Sequence, residues 1–331
     1  MLNQKKRILT GERPTGKLHL GHYVGSLANR VKLQNEYETF IIIADVQALT
    51  THFKDPAFLK QSVLEVTLDN LAVGINPETA TIFLQSTIPQ IAELTVFYSM
   101  LVPVNVLRHN PTIKTEAKQY GYAEMTYGFL GYPVSQTADI TFCQADLVPV
   151  GVDQAPHIEL TRKLVRRFNT LYQPVLTEPE ILLGDCPRLL GIDGDAKMSK
   201  SLQNAIFLSD TAMEVQAKLK VARTDPARIH VNDLGHPKVC VIHQYYQAFH
   251  LEGSENCADL CRKGQIGCSS CKQAFTQYLN EFLDPIRERR CYYESRLGEV
   301  QEIVEAGNKK AREIGERTVA EVKEAIGIRY F

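Results

Sequence analysis

The chain has 331 residues, 44% hydrophobic and 23% charged, with 37 Lys and Arg balanced by 38 Asp and Glu for a formal charge of -1. This is a globular composition with room for one large core and a smaller one. A net charge near zero excludes a general positive field, so a nucleic-acid partner must be held by local basic patches.

Residues Met1 to Arg7 lead directly into a strand-like run, with no apolar signal core and no small-residue cleavage site. The longest apolar run, Phe40 to Ala44, is too short for a bilayer. A soluble, cytoplasmic protein with no membrane or DNA partner is expected. Arg7-Ile8-Leu9-Thr10 reads as a buried strand ending at Gly11, and the apolar stripe Leu20, Val24, Leu27, Val31 predicts a helix after it. Thr39 to Ala44 has the pattern of a strand buried on both faces. Asp55-Pro56 opens a helix that runs to about Val73 and stops at Gly74. Thr81–Leu84 and Leu147–Val150 are further strands, with helices over 90–102, 124–140 and 154–168. After about residue 205 strand signals fade, and helices are predicted over 212–221, 239–249, 271–282 and 300–326. The expected fold class is α/β. Residues 1–205 form a Rossmann-type, doubly wound parallel sheet, and 206–331 form an all-helical domain whose last helix packs back on the first.

Two motifs carry chemistry. Pro14-Thr15-Gly16-Lys17-Leu18-His19-Leu20-Gly21-His22 lies between the first strand and the first helix. Gly16 and Gly21 let backbone approach a ligand, the helix start offers unpaired N–H groups to an anion, and His19 and His22 share a helical face. The same string could merely cap a helix, and neither a dinucleotide fingerprint nor a P-loop is present. Lys197-Met198-Ser199-Lys200-Ser201 follows the Gly/Asp-rich run Gly191 to Asp195. Two lysines on a loop can close over a triphosphate and neutralise charge as pyrophosphate leaves, although a solvated loop would look alike. Both motifs together, in this order on this scaffold, form a specific signal.

His19-Leu20-Gly21-His22 and Lys197 to Ser201 resemble the HIGH and KMSKS signatures of class I aminoacyl-tRNA synthetases. The resemblance extends along nearly the whole chain to the tryptophanyl-tRNA synthetases. It includes Thr10 to Gly16, the segment Val148-Pro149-Val150-Gly151-Val152-Asp153-Gln154 with His157 to Arg162, and the tail from Phe282 through Gly307 to Gly327. It implies ATP with Mg²⁺, formation of an aminoacyl-adenylate, transfer to tRNA(Trp), and a homodimer. It assigns His19, His22, Lys197 and Lys200 to transition-state stabilisation and Ser199 to supporting the phosphate loop. Arg13, Thr15, Gly21, Met198, Gly151, Asp153 and Gln154 complete the ATP site, with Asp153 at the ribose hydroxyls.

For the amino acid, Tyr132, Gln136 and Asp139 fall on one helical face. A buried carboxylate needs a donor, and an indole N–H supplies one. The resemblance places Asp139 on that N–H and adds Leu9, Gln47, Val148 and Val150 to the pocket. The sequence departs from the bacterial pattern at Gln136, Gln47 and Arg13, which stand where methionine, histidine and glutamine are usual. Tyr132-x₃-Gln136-x₂-Asp139 is also how tyrosyl-tRNA synthetases read a phenol, so tyrosine is the competing substrate. A regulatory protein derived from a synthetase, and a nucleotidyltransferase without tRNA, are the other readings.

Five of the eight cysteines fall between Cys240 and Cys271. Clustered thiols in a chain without an export signal point to a metal or cluster. Cys261-x₆-Cys268-x₂-Cys271 resembles the four-iron four-sulfur pattern of some tryptophanyl-tRNA synthetases, which makes Cys240, Cys261, Cys268 and Cys271 the expected 4Fe-4S ligands. The gap from Cys240 to Cys261 is shorter than that pattern, leaving Cys257 as a substitute ligand. Zinc suits four thiolates equally, and free structural cysteines are the third option. Arg162, Lys163, Arg166 and Arg167 form a basic face, read as solvated.

Overall fold

The computed structural model describes residues 5–122, 124–151, 154–183, 189–251 and 254–330. Five strands form one parallel sheet: β1 (Arg7–Glu12), β2 (Glu38–Ile43), β3 (Ala80–Leu84), β4 (Leu147–Val150) and β5 (Glu180–Leu183), in the order β3-β2-β1-β4-β5. β1 pairs with β2 from Arg7↔Glu38 to Glu12↔Ile43, and β2 with β3 from Thr39↔Ala80 to Ile43↔Leu84. Phe40 and Ile42 enter one core with Leu9, Phe83 and Val148, whereas Ile41 and Ile43 enter a second with Leu18, Leu68 and Ile82. Alternation with both faces covered explains why β2 is apolar throughout from Phe40 to Ile43.

After β1, α1 (Leu20–His22) passes through a π turn at Tyr23–Leu27 into α2 (Ala28–Leu33). Between β2 and β3 come α3 (Asp45–His52) and α4 (Pro56–Ala72), and Asp55 caps α4 by accepting the Phe58 N–H at 3.0 Å. The crossover from β3 to β4 holds α5 (Pro89–Ser99), α6 (Val104–Arg108), α7 (Pro111–Gln119) and α8 (Tyr127–Thr141). α9 (Ala155–Leu171) leads to β5. The rest of the described chain forms α10 (Ala212–Val221), α11 (Val241–Ala248), α12 (Ser254–Arg262), α13 (Cys268–Glu294) and α14 (Leu297–Ile326). α14 returns to the sheet, where Asn308 Oδ1 accepts the Leu84 N–H at 2.9 Å.

The parallel α/β sheet followed by helices is the expected architecture. The differences are local. α13 runs past the predicted stop at 282 with Pro285 inside it, and β5 is a half-exposed edge strand without alternation. Short helices α3, α6, α7 and α12 lack the repeats that make a helical stripe legible. No helix among the described residues is long and apolar enough to cross a membrane.

Candidate active site at the switch point of the sheet

In an open parallel sheet a ligand crevice lies beyond the strand carboxyl ends, where neighbouring crossovers leave in opposite directions. Here that point is between β1, whose chain leaves toward β2, and β4, whose chain leaves toward β5. The turn from Pro14 to Gly21 emerges from one, and Gly151 directly follows the other. Gln154 N–H donates to Gly151 O at 3.0 Å. Asp153, expected at the ribose, and Cys186 lie outside the described residues.

The lysine loop meets the histidine turn at this point. Leu20 N–H donates to Ile206 O at 2.9 Å and Leu208 N–H to Leu18 O at 3.0 Å, so the segment after Ser201 is stitched to the turn. Lys200 Nζ donates to Gly16 O at 2.8 Å and to Thr15 Oγ1 at 3.3 Å. Met198 is buried with Leu18 and Leu20 and anchors the loop, while Lys197 is exposed. Ser199 N–H donates to Asn204 Oδ1 at 2.8 Å, which fixes the loop backbone.

His19 and His22 are neutral donors here. Their ring centroids lie 3.8 Å apart. The His19 N–H donates to His22 Nδ1 at 3.2 Å, which leaves the His22 proton on Nε2. Burial, then His22, Lys200 and Lys197, hold His19 down at about 2. Burial and the same lysines hold His22 at about 3. His19 Nδ1 is buried with no protein partner, a desolvation cost that a bound polar ligand would offset. Burial also lowers Lys200 to about 8, against the pull of Glu12 and Asp69.

A second group of buried polar side chains lies along α8. Asp139 is 3% exposed, and its Oδ1 accepts from Gln85 Nε2 at 2.7 Å. Burial raises its carboxyl to about 7. The Tyr132 hydroxyl lies 3.0 Å from His157 Nε2, and burial followed by Glu116 pushes its pKa far up, with Arg13 opposing. Leu9 and Val148 share the core with Tyr132, Val150 packs against it, and Gln136 is half-buried. Gln47 engages this network through its backbone N–H, which donates to Gln85 Oε1 at 2.9 Å. Gln85 and Glu116 carry no signal of their own in the sequence reading, and His157 enters it only as part of the segment His157 to Arg162. For Gln85 the available signal was its place directly after β3, at the carboxyl edge of the sheet.

Cys240, Cys261, Cys268 and Cys271 line one small cavity with Arg228, Ile242 and Ile266. Arg228 Nη1 lies 3.5 Å from Cys261 Sγ and 3.9 Å from Cys268 Sγ. Cys257 is not in that lining, although its Sγ lies 3.4 Å from Cys271 Sγ. Among the described residues no group of three or more His, Cys, Asp or Glu is arranged to hold a metal ion. The zinc expectation is therefore not supported, nor is the 4Fe-4S expectation by any preformed ion site: the thiols surround a space and do not converge on a point. In the basic face of α9, Arg162 and Arg166 are tied to Glu178 at 2.8 and 2.5 Å, while Lys163 and Arg167 stay exposed.

Residues 1–284 match the family model described as tRNA synthetases class I (W and Y). The tryptophan–tRNA ligase of Streptococcus pneumoniae is 46% identical over 338 residues, covering 99% of each chain. Among solved structures, tryptophanyl-tRNA synthetase from Campylobacter jejuni, complexed with ADP and tryptophan, superposes with a TM-score of 0.86. It is 29% identical, over 97% of this chain and 99% of that one. The enzyme from Mycoplasma pneumoniae superposes at 0.81 with 28% identity, over 98% of each. With one motif from each half of the chain joined at a single crevice, and with relatives matched from end to end, the chain belongs to the class I tRNA synthetases, in the tryptophan–tRNA ligase family.

Proposed function

We infer that the chain activates L-tryptophan with ATP, supplied as its Mg²⁺ complex, and esterifies it to tRNA(Trp). The observation that carries this reading is the bond from Lys200 Nζ to Gly16 O, which closes the lysine loop on the glycine turn. In the first step a carboxylate oxygen of tryptophan attacks the α-phosphorus. The bond from that phosphorus to the α–β bridging oxygen breaks, and pyrophosphate leaves. In the second, a terminal ribose hydroxyl of the tRNA attacks the adenylate carbonyl and AMP leaves. The first step requires in-line placement and neutralisation of charge more than a protein base. Lys197 and Lys200 supply cationic donors, and His19 and His22, being neutral, supply N–H donors that need no proton uptake first. Gly21, Gly151 and Gln154 border the adenosine, with Arg13 and Thr15 at the turn.

Asp139, held by Gln85, accepts the indole N–H, and Tyr132, Leu9, Val148, Val150, Gln136 and Gln47 frame the ring. Tyrosine is set aside because relatives matched along the whole chain are tryptophan–tRNA ligases, and the Campylobacter neighbour is described in complex with tryptophan. The helices after residue 205 serve tRNA recognition. The exposed apolar side chains Val96, Met100 and Val104 suit a homodimer contact.

The cysteine-lined cavity belongs to this reading as a 4Fe-4S site held by Cys240, Cys261, Cys268 and Cys271. Four thiols around an apolar space are its donor set. When bound, the cluster would tie the residue before α11 to α12 and α13. About four iron and four sulfide per chain in anaerobically purified protein support it; an iron-free, colourless protein overturns it.

Exchange of labelled pyrophosphate into ATP, with tryptophan and tyrosine compared, tests the main reading, followed by charging of transcribed tRNA(Trp). Tryptophan-dependent exchange and charging are expected. Exchange driven by tyrosine, or none with either amino acid, overturns it and favours a tyrosine enzyme or a regulatory relative.

A further inference from the structure

Beneath the histidine turn lies a chain of buried charges that the reaction itself does not use. Arg290, near the end of α13, is 4% exposed and ion-paired with Asp69 and Glu65 of α4, and with Glu294 at 2.8 Å. Asp69 is fully buried. One of its oxygens meets Arg290, and the other accepts the N–H of Leu18 at 2.7 Å. Leu18 directly precedes His19, and its carbonyl accepts from Leu208 on the segment that follows the lysine loop. The neighbouring Arg289 donates to Ala72 O at 2.6 Å, so the end of α13 grips α4 twice.

A buried ion pair is a poor way to gain stability, because desolvation consumes most of the Coulomb attraction and a packed apolar pair does as well. An apolar pair, however, cannot hold a backbone amide. Burial of Asp69 is costly enough that its carboxyl rises to about 6 despite Arg290, yet its second oxygen is aimed at the amide directly before His19.

We propose that Asp69 and Arg290 are positioning residues for amino-acid activation: α13, through Arg290, holds Asp69, and Asp69 holds the Leu18 amide so that His19 and His22 meet the phosphates of ATP. The inference rests on the proposed function. The tryptophan pocket lies in the core on the opposite face of the sheet, so disturbance of this pair reaches the phosphate step and spares the side-chain site.

The test compares Arg290→Met, Arg290→Lys, Asp69→Asn and the double variant Asp69→Asn/Arg290→Met in pyrophosphate exchange, with thermal midpoints measured alongside and assays run well below them. In Arg290→Met kcat is expected to fall by about tenfold to a hundredfold, the scale of an ångström-sized misplacement, with the KM for tryptophan within about twofold of wild type. Arg290→Lys recovers part of the loss. The double variant leaves residue 69 without its tie to α13, so its kcat is expected to stay within about twofold of that of Arg290→Met, as for two residues that act as one unit. Should Arg290→Met not fold, the isosteric Asp69→Asn decides alone, with a fall in kcat of about tenfold expected. Variants with lowered midpoints but kcat within about twofold of wild type, or with kcat and tryptophan KM moving together, overturn the proposal. A wild-type protein without tryptophan-dependent exchange instead overturns the proposed function.

Discussion

Gln85 Nε2 donates to Asp139 Oδ1 at 2.7 Å, and the same side chain accepts the Gln47 N–H through Oε1 at 2.9 Å. One amide thus fixes the carboxylate of α8 relative to the ends of β2 and β3. A site built around a buried acceptor loses much when the acceptor goes. Asp139→Ala is expected to lower kcat/KM for tryptophan by about a hundredfold, and Gln85→Ala by about tenfold through loss of orientation. The KM for ATP should hold in both. Because burial raises the Asp139 carboxyl to about 7, kcat/KM for tryptophan in the wild type should fall as pH drops through 7, and Asp139→Asn should flatten that limb. Steady-state kinetics from pH 5.5 to 8.5 checks this; an unchanged acid limb in Asp139→Asn refutes it.

The two histidines should not titrate where free histidine does. With His19 near 2 and His22 near 3, neither protonates above pH 5, so the kcat profile should show no inflection at 6.5 assignable to them. His19→Asn and His22→Asn keep a donor and should lose about tenfold in kcat, against a hundredfold or more for the alanine variants. Stability follows the same shift. The unfolded chain takes up protons at both histidines below about pH 6.5 while the folded chain does not, so their contribution is present above 6.5 and is lost as pH falls. Urea unfolding at pH 5.5 and 7.5, with His19→Asn as reference, measures that slope.

Lys200 carries the opposite sign. Its ammonium, lowered to about 8 by burial, loses its proton as pH rises, so kcat/KM for ATP should decline above pH 8. Saturating ATP should carry kcat to higher pH, because a bound polyanion favours the charged form. Lys200→Met should reduce kcat by about a hundredfold to a thousandfold and remove the alkaline limb. Retention of that limb in the variant would assign it to another group.

Local features of the molecule are legible in its sequence, and contacts between distant segments are not. The β2 run, the Asp55-Pro56 cap and the two motifs were legible because each is a local pattern with a local cause. That Lys200 reaches Gly16 was only implied, since the two are 184 residues apart. Gln85 stayed hidden because a glutamine after a strand has no periodicity to betray it; only the meeting of three chain segments gives it a task. Arg290 and Asp69 were hidden for the same reason, since a buried ion pair between helices remote in sequence looks like two ordinary surface charges. The length of α13 was underestimated because Pro285 reads as a helix breaker, although the helix passes through it.

The seat of α14 on the sheet gives the last prediction. A Cβ at Gly307 would sit 1.8 Å from the backbone carbonyl oxygen of Ile82, so Gly307→Ala must push α14 off β3. At Gly298, on the same helix, a Cβ would meet nothing within 4 Å. Gly307→Ala is expected to destabilise by about 1–3 kcal/mol, whereas Gly298→Ala should stabilise by up to about 1 kcal/mol by restricting the unfolded chain. The displacement should also be felt in the pocket. Asn308 holds the Leu84 amide, and Gln85 follows directly, so a shifted β3 moves the side chain that orients Asp139. Gly307→Ala should therefore raise the KM for tryptophan several-fold at temperatures where it remains folded, while Gly298→Ala leaves it unchanged. Thermal denaturation with tryptophan kinetics on both variants distinguishes this route from simple instability. A Gly307→Ala protein with a lowered midpoint and a wild-type tryptophan KM would show that α14 supports the sheet without reaching the substrate.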